Sequence, residues 1–236
     1  SKELGLHSQT VQAVCEEYAA RRKQFKKRKL RWRGRRSLGW VPFKASGIKV
    51  VDDTVTYAGN TFRFWKSRDI PGAIKTGNFA QDSRKRWYVN FVVEAPEAEA
   101  TTGTKQIGID LGLKTLATGS DGRKIEAPRG YRNQQRRIAE HQRKKRSRQA
   151  RNLQAKIANR RKDFLHKESH RLTQECELIV VGDVCSSKLT KTNMAKSVND
   201  AGWAMFKNLL SYKAMARKVV YREVSERFST QTCSGC

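Results

Sequence analysis

The stretch that most constrains the fold of this chain is ELIVVGDV, residues 177–184. A short, β-branched and almost uninterrupted apolar run predicts a strand that is buried on both faces. Such strands occur in parallel sheets, because the crossover that joins two parallel strands usually places a helix against the sheet. The sequence therefore predicts an α/β domain around this strand, and the apolar run ends in an acid, Asp183.

The segments around this strand supply the other elements of such a domain. QIGIDLG and LKTLATG predict two strands, SDG predicts a tight turn, and RKIEA predicts a third strand. Residues 131–175 are polar, lack proline and predict a long helical insert, and Asp200 is expected to cap a helix that carries Trp203 and Phe206. VVYREV predicts a last strand. A three-stranded meander followed by helix, strand, helix and strand is the order of an RNase H-like fold, although other α/β domains share it.

The N-terminal part of the chain has a different pattern. Apolar residues at helical spacing predict a helix that starts with Ser8 as its N-cap and runs to about Lys29. Residues 37–94 predict short antiparallel strands, with a hairpin at Gly59 and Asn60, and so a small β-barrel or sheet. The small, acidic and Gly/Thr-containing stretch 95–105 predicts a linker.

The charge of the chain narrows its possible partners. With 50 Lys and Arg against 22 Asp and Glu, the formal net charge is +28. A folded protein with this excess repels itself unless it binds a polyanion, and nucleic acid is the expected polyanion. A basic protein without catalysis would have the same composition. No membrane partner is predicted, because no apolar run approaches the ~20 residues that span a bilayer.

Two kinds of residue are candidate nucleic-acid contacts. Residues 129–171 contain sixteen Lys and Arg but only three acids. This excess favours a nucleic-acid surface or an exposed strut. The densest cluster consists of Arg143, Lys144, Lys145, Arg146, Arg148 and Arg151. Trp32, Trp40 and Trp65 are candidates for base stacking or for the core, and the core is the expected role of Trp65.

The local sequence suggests three candidate metal ligands. Asp110 ends a predicted strand, where a nuclease would hold Mg²⁺ (or Mn²⁺) through carboxylates from neighbouring strands; a turn-capping Asp would have the same sequence. Cys233 and Cys236 form a CxxC pair, half of a Zn²⁺ site that needs four ligands. The five cysteines are irregularly spaced, which favours a reducing compartment over a disulfide framework.

Four motifs follow one another along the chain: IGIDLGLKTLAT, KIANRRKDFLHKESHRL, AKSVNDAGW and TQTCSGC. In this order they resemble the TnpB proteins of bacterial insertion sequences, which are related to compact type V CRISPR effectors. The resemblance implies an RNase H-like (RuvC) nuclease domain with a helical insertion, preceded by a wedge-like β-barrel domain and a helical segment, and followed by a partial zinc ribbon. It also implies that further segments precede Ser1 and follow Cys236.

The resemblance divides the chain into four parts. Residues 1–36 would end the helical recognition lobe, 37–100 would form the wedge-like domain, 101–230 the RuvC-like domain with its basic insert at 131–175, and 231–236 the start of the zinc ribbon. The implied partners are a guide RNA and a target double-stranded DNA, held in a basic channel through backbone shape and charge. The implied location is the bacterial cytoplasm, at the nucleoid when DNA is bound. The sequence gives no oligomeric state.

The chain departs from this family at Gly182, where most members carry the second catalytic carboxylate. Three interpretations stay open. The nuclease is inactive and only binds RNA and DNA; or Asp183 substitutes, although strand alternation should point it to the other face; or an acid near the strand VVYREV has taken over. For the third interpretation Glu226 is the candidate and Glu223 its nearest rival, although Glu226 could also be a plain exposed charge.

We favour the third interpretation, with Asp110 and Glu226 as the Mg²⁺ ligands. The predicted function is then an RNA-guided DNA endonuclease. The alternatives are a nuclease-inactive RNA-guided repressor and a general RNA-binding protein without guidance.

Overall fold

The computed structural model describes residues 6–31, 34, 37–94, 100–183 and 195–225. The chain divides into two compact units, Ser1–Pro96 and Glu97–Cys236, and each is described by itself. Over these described ranges no helix is both long and apolar enough to cross a membrane. The four-part division at residues 36, 100 and 230 stays a prediction.

The first unit begins with helix α1, Ser8–Gln24, which is shorter than predicted. His7 occupies the N-cap position instead of Ser8 and makes no side-chain capping bond. The helix ends at Gln24 because Lys26 takes a left-handed backbone conformation, with φ of 50°, which an α-helix cannot continue. The helix lies beside the first strand of the unit, where the Thr10 hydroxyl donates to the carbonyl of Pro42 at 3.1 Å.

Six short strands follow in this unit: β1 (Trp40–Lys44), β2 (Ile48–Val51), β3 (Thr54–Tyr57), β4 (Asn60–Arg63), β5 (Ala73–Gln81) and β6 (Trp87–Glu94). They form two antiparallel three-stranded sheets, with strand orders β1-β5-β6 and β2-β3-β4. The predicted antiparallel β-structure is therefore present, but a closed barrel is not: among the described strands, none is paired into both sheets. The predicted hairpin lies one residue earlier, since Ala58 and Gly59 have positive φ and Asn60 already pairs with Tyr57.

Aromatic side chains fill the space between these two sheets. Phe43 of β1 is fully buried, and its ring lies 5.3 Å from Phe79 and 6.0 Å from Tyr57. Gly77 on β5 makes room for it, because a Cβ there would lie 2.6 Å from the Phe43 ring and would clash with the Asn90 carbonyl. A glycine inside a strand here marks close packing of a ring.

Trp65 contradicts its prediction. Its side chain is 92% exposed and does not belong to the core. The Phe62 and Phe64 rings, two residues apart, contact aromatic side chains of the sheet β1-β5-β6, at 5.7 Å from Phe79 and 5.9 Å from Phe91. Because successive side chains in extended backbone alternate in direction, the residue that follows Phe64 faces outward.

The second unit contains the predicted α/β elements. The strands are β7 (Lys105–Leu111), β8 (Thr115–Gly119), β9 (Lys124–Glu126), β10 (Cys176–Gly182) and β11 (Val220–Val224). The helices are α2 (Gly130–Arg143), α3 (Ser147–Glu175), α4 (Ala195–Ala201) and α5 (Trp203–Ala216). The five strands form one sheet in the order β11-β10-β7-β8-β9.

The strand directions in this sheet match the prediction from sequence. β7, β8 and β9 form an antiparallel meander, and β10 pairs in parallel with both β7 and β11. The run ELIVVG is thus a buried parallel strand, as its composition predicts. The unit is a mixed α/β domain.

Helices α3 and α5 supply side chains to one common core with this sheet. The core joins Ile109 of β7 and Val181 of β10 to Leu165 of α3 and Phe206 of α5. We call this side of the sheet the helix face and the opposite side the Asp110 face. Side chains alternate between the two faces along each strand.

Asp200 caps a different helix from the one predicted. Gly202, with φ of 75°, is the N-cap of α5. The Asp200 carboxylate instead accepts hydrogen bonds from the backbone N–H of Tyr131, at 3.0 and 3.2 Å, and of Arg132, at 3.3 Å. Both residues lie in the first turn of α2, where N–H groups have no partner inside the helix. Asp200 therefore fastens the start of the helical insert to the body of the domain.

Candidate active-site face and basic helical hairpin

Asp110 lies on the central strand with its side chain away from the core. It is exposed, whereas its neighbours Ile109 and Leu111 are buried. Its partner on the neighbouring strand β8 is Thr118. Its carboxylate makes no hydrogen bond or ion pair with any residue that the structure describes, so its oxygens are free to meet a ligand.

Gly182 is the neighbour of Asp110 on the adjacent strand. Val181 pairs with Ile109 in the parallel register of β10 and β7, which places the next residues, Gly182 and Asp110, side by side. On its other side Gly182 pairs with Val224 of β11. Paired residues of neighbouring strands share a face, so Asp110, Gly182 and Val224 form one row. Only Asp110 in this row carries a carboxylate.

The two acids nearest to Gly182 in this region lie on the helix face. Lys207 of α5 donates to Asp183 at 2.9 Å and to Glu223 at 2.7 Å. Glu223 pairs with the buried Val181, which confirms the face. As strand alternation predicts, Asp183 points away from Asp110. Neither acid is placed to replace a side chain at Gly182.

Lys207 is the shared cation of Asp183 and Glu223. Burial lowers the pKa of Lys207, but its hydrogen bonds to Glu223 and Asp183 outweigh burial, and the net pKa is raised. The Tyr221 hydroxyl donates to Glu223 at 2.8 Å, and burial together with this carboxylate raises the pKa of Tyr221. Lys207 therefore stays charged and holds both acids. The sequence gives no signal for this role, because Lys207 lies in an ordinary amphipathic helix.

The described residues do not complete a metal site by themselves. Within the described parts of the chain, no group of three His, Cys, Asp or Glu is placed to hold an ion. Asp110 offers one hard oxygen ligand of the kind that Mg²⁺ prefers, and any further ligand must come from elsewhere. Glu226, Cys233 and Cys236 lie outside the described residues.

The basic cluster lies at the tip of a helical hairpin. Helices α2 and α3 pack on each other, and residues 144–146 join them. Arg143, Lys144, Lys145, Arg146, Arg148 and Arg151 are all exposed at or beside this turn. Lys144 forms an ion pair with Glu140 at 2.7 Å, and Lys145 takes a left-handed conformation, with φ of 53°, to make the turn. The structure thus gathers all six cations at one end of the hairpin.

The last predicted contact, Trp40, belongs to the first unit. It is the first residue of β1, is half-buried and pairs with Ala80 of β5. Trp32 lies outside the described residues.

Comparison with known proteins identifies the family. The family model described as "Probable transposase" (OrfB_IS605) matches residues 90–193, and the model for the Cas12f1-like TNB domain matches residues 203–236. A protein of Streptomyces pristinaespiralis is 32% identical over 189 residues, which cover 72% of this chain and 46% of the relative. A second relative, InsQ of Escherichia coli K12, is 26% identical over 203 residues, covering 74% and 50%. Both carry the provisional name RNA-guided DNA endonuclease.

A solved structure is also similar: the cryo-EM structure of the Cas12f1–sgRNA–target DNA complex. It matches with a TM-score of 0.41 and 15% identity, over 88% of this chain and 58% of the solved one. The matches place the chain among transposon-associated proteins. Within that class, it belongs to the TnpB family. The chain spans about half the length of the curated relatives it matches.

Proposed function

We propose that the protein carrying this sequence is an RNA-guided DNA endonuclease with a RuvC-like site that depends on Mg²⁺ (or Mn²⁺). Guide RNA and target double-stranded DNA are the proposed partners. The names of both curated relatives support this function. The order β11-β10-β7-β8-β9, with a meander next to two parallel strands, supports the RuvC-like assignment of the second unit.

The observation that carries the proposal is the position of Asp110. It lies near the carboxyl end of the central strand β7, exposed and without a partner among the described residues. In open α/β sheets, ligands bind at the carboxyl ends of the strands, where neighbouring strands lead to opposite sides. A carboxylate with no structural role at this point is suited to hold a divalent cation.

Glu226 is the proposed second carboxylate. Val224 shares the row of Asp110 and Gly182, and Glu226 follows Val224 by two positions in the sequence, the side-chain repeat of a strand. The alternatives Asp183 and Glu223 are both engaged by Lys207 on the helix face. Bound Mg²⁺ would activate a water and stabilise the leaving oxygen of a phosphodiester. Cys233 and Cys236 are proposed as half of a Zn²⁺ site, completed by ligands from another segment.

Cleavage of a matched double-stranded target tests this proposal. The full-length protein would be purified with its own RNA and assayed in Mg²⁺, in Mn²⁺ and in EDTA. A metal site supplies several kcal/mol of transition-state stabilisation, so Asp110→Ala and Glu226→Ala should each reduce cutting by about 100-fold or more. Asp183→Asn is the matched control: it removes an acid one position from Gly182 but on the other face, and should keep cutting.

The second candidate is a nuclease-inactive RNA-guided DNA-binding protein. The absence of a side chain at Gly182 favours it, because one acid of a two-carboxylate site is then missing from the described strands. If the wild type and both alanine variants bind the target equally and none cuts, this candidate is correct. If Glu226→Ala cuts at the wild-type rate while Asp110→Ala does not, the assignment of Glu226 is wrong.

A further inference from the structure

A groove runs along one side of the helical hairpin, apart from the cluster at its tip. Near the start of α2 it has a volume of about 410 Å³, and a second cavity of about 330 Å³ continues it toward the tip. Arg137, Leu153 and Lys156 line both cavities, and Arg160 lines the first. The groove is therefore one continuous feature between the two helices.

Close packing of the helices forms this groove. Gly130 begins α2, and a Cβ at this position would lie 3.1 Å from Ile157 of α3. The missing side chain lets α2 approach α3 at this end. Ile138 and Ile157 are buried between the helices, which leaves the longer cationic side chains to form the rim.

Three cations of the groove have no partner. Arg137, Lys156 and Arg160 are exposed, and none of them forms a hydrogen bond or an ion pair with a residue that the structure describes. Lys156 and Arg160 are one helical turn apart on α3, about 6 Å along its axis. Like charges at this spacing repel each other, so the fold gains nothing from placing them together.

The acids of the hairpin do not neutralise these cations. Glu175, the last residue of α3, pairs with Arg123 at 3.0 Å. Each of the other three acids pairs with a cation three or four residues away in the sequence. The pairs are Glu140–Lys144, Asp163–Lys167 and Glu168–Arg171. Among the described residues, no acidic side chain lines either cavity. The counter-ion of the groove must therefore come from outside the hairpin.

His141 and several amide side chains also contribute to the groove. His141 lines the cavity nearer the tip, and its Nδ1 atom is buried without a hydrogen-bond partner in the described part of the chain. Amide side chains also line the two cavities: Asn133, Gln134, Gln149 and Asn152.

We propose that this groove is a binding site for the phosphodiester backbone of a nucleic acid. Guanidinium, ammonium and amide N–H groups are the donors that recognise phosphate oxygens. The inference rests on the proposed function, since guide RNA and target DNA are the two possible sources of that backbone. It adds a contact surface on the side of the hairpin, separate from the residues at its tip.

The test is binding of the full-length protein to two probes, a single-stranded RNA and a double-stranded DNA of equal length, in EDTA. Lys156→Gln/Arg160→Gln is the groove variant. Arg136→Gln/Lys162→Gln is the control, because it also removes one Arg and one Lys from the hairpin, at positions that do not line the groove. All four positions are exposed, and glutamine is a good helix former, so both variants should keep the wild-type circular dichroism and melting temperature.

The salt dependence of binding gives the expected size of the effect. Loss of two phosphate contacts should lower the slope of log K against log salt by about 1.8 for the duplex or about 1.4 for the single strand. The same relation gives a loss of affinity of roughly tenfold per contact at 0.1 M salt. A shift with the RNA probe alone identifies the guide as the source, and a shift with the duplex alone identifies the target.

Equal slopes and affinities for the groove variant and the control would overturn the inference, and so would a wild-type protein that binds neither probe. Cleavage of a matched target separates this result from the proposed function. A wild type that cuts while the groove variant binds like the control refutes the groove alone. A wild type that never cuts, with a groove variant that loses the two contacts, refutes the nuclease and keeps the groove.

Discussion

Replacing Asp200 should weaken the attachment of the start of α2 to the rest of the α/β unit. Its side chain is only 10% exposed, lies 3.5 Å from the Arg161 guanidinium and caps the start of α2 through Tyr131 and Arg132. In Asp200→Ala both interactions are lost. The variant is therefore expected to be less stable than the wild type by the sum of a cap and a partly buried ion pair.

The magnitude of this loss follows from the two parts. A helix cap contributes about 1 kcal/mol. Breaking a buried ion pair costs about 3–5 kcal/mol when it leaves a charge unpaired, but Arg161 keeps a 2.7 Å hydrogen bond to the carbonyl of Asn199, so we expect about 1–2 kcal/mol. Asp200→Ala should thus lower the free energy of unfolding by about 2–3 kcal/mol.

Asp200→Asn separates the two contributions. Asparagine caps helices as well as aspartate does, so this variant keeps the cap and loses the ion pair. Its free energy of unfolding should be about 1–2 kcal/mol lower than that of the wild type. Asp163→Asn is the matched control: it loses the same charge on α3, but Asp163 is 64% exposed in its pair with Lys167, and the change should stay below about 0.5 kcal/mol.

Urea unfolding followed by far-ultraviolet circular dichroism measures these differences. The reasoning is refuted if Asp200→Ala unfolds within about 0.5 kcal/mol of the wild type, since single caps are typically larger than this. Equal values for Asp200→Ala and Asp200→Asn would show that the cap contributes nothing and that only the charge matters.

Three further changes have expected outcomes. Lys207→Met leaves Asp183 and Glu223 without their shared cation and should destabilise the unit by about 2 kcal/mol at pH 7. Because the pKa of Lys207 is raised on folding, this difference from the wild type should be complete below about pH 10 and shrink as the pH rises above it in urea titrations; an unchanged difference at pH 11.5 would contradict the ion pairs. Leu165→Ala, at a fully buried site, should cost about 2–5 kcal/mol in the same assay, and a smaller loss would mean that the core refills the cavity. Lys26→Gly should raise the free energy of unfolding by about 1 kcal/mol, because Lys26 has a left-handed backbone with φ of 50°; a lower melting temperature would contradict this.

Local pattern was enough to predict the layout of the second unit. The β-branched run in residues 177–184 predicted a buried parallel strand, which the structure places at Cys176–Gly182. Alternation along this strand predicted that Asp183 faces away from Gly182. Both inferences depend only on the two-residue repeat of a strand. The position of Asp110 on an exposed strand face follows from the same rule.

Interactions between distant residues could not be predicted in this way. Asp200 caps a helix through Tyr131, 69 positions earlier in the chain, although its sequence position suggests the helix that follows it. Trp65 is a large apolar residue of the kind found in cores, but its side chain is exposed. Its direction becomes clear only from the contact of the preceding residue, Phe64, with Phe91. Whether two sheets close into a barrel depends on pairing between strands far apart in the chain, which no local window contains.

The pairing of β7 with β10 also determines the order in which the second unit can fold. Ile107 pairs with Ile179, and the whole helical hairpin lies in the loop that this contact closes. Closing a long loop costs conformational entropy before the contacts that stabilise it can form, so this pairing is slow. Helices and hairpins between adjacent strands form within microseconds. We expect the β7–β9 meander and the α2–α3 hairpin to form first. The row of Asp110, Gly182 and Val224 would then assemble in a single late step, when β10 inserts between the first strand and the last.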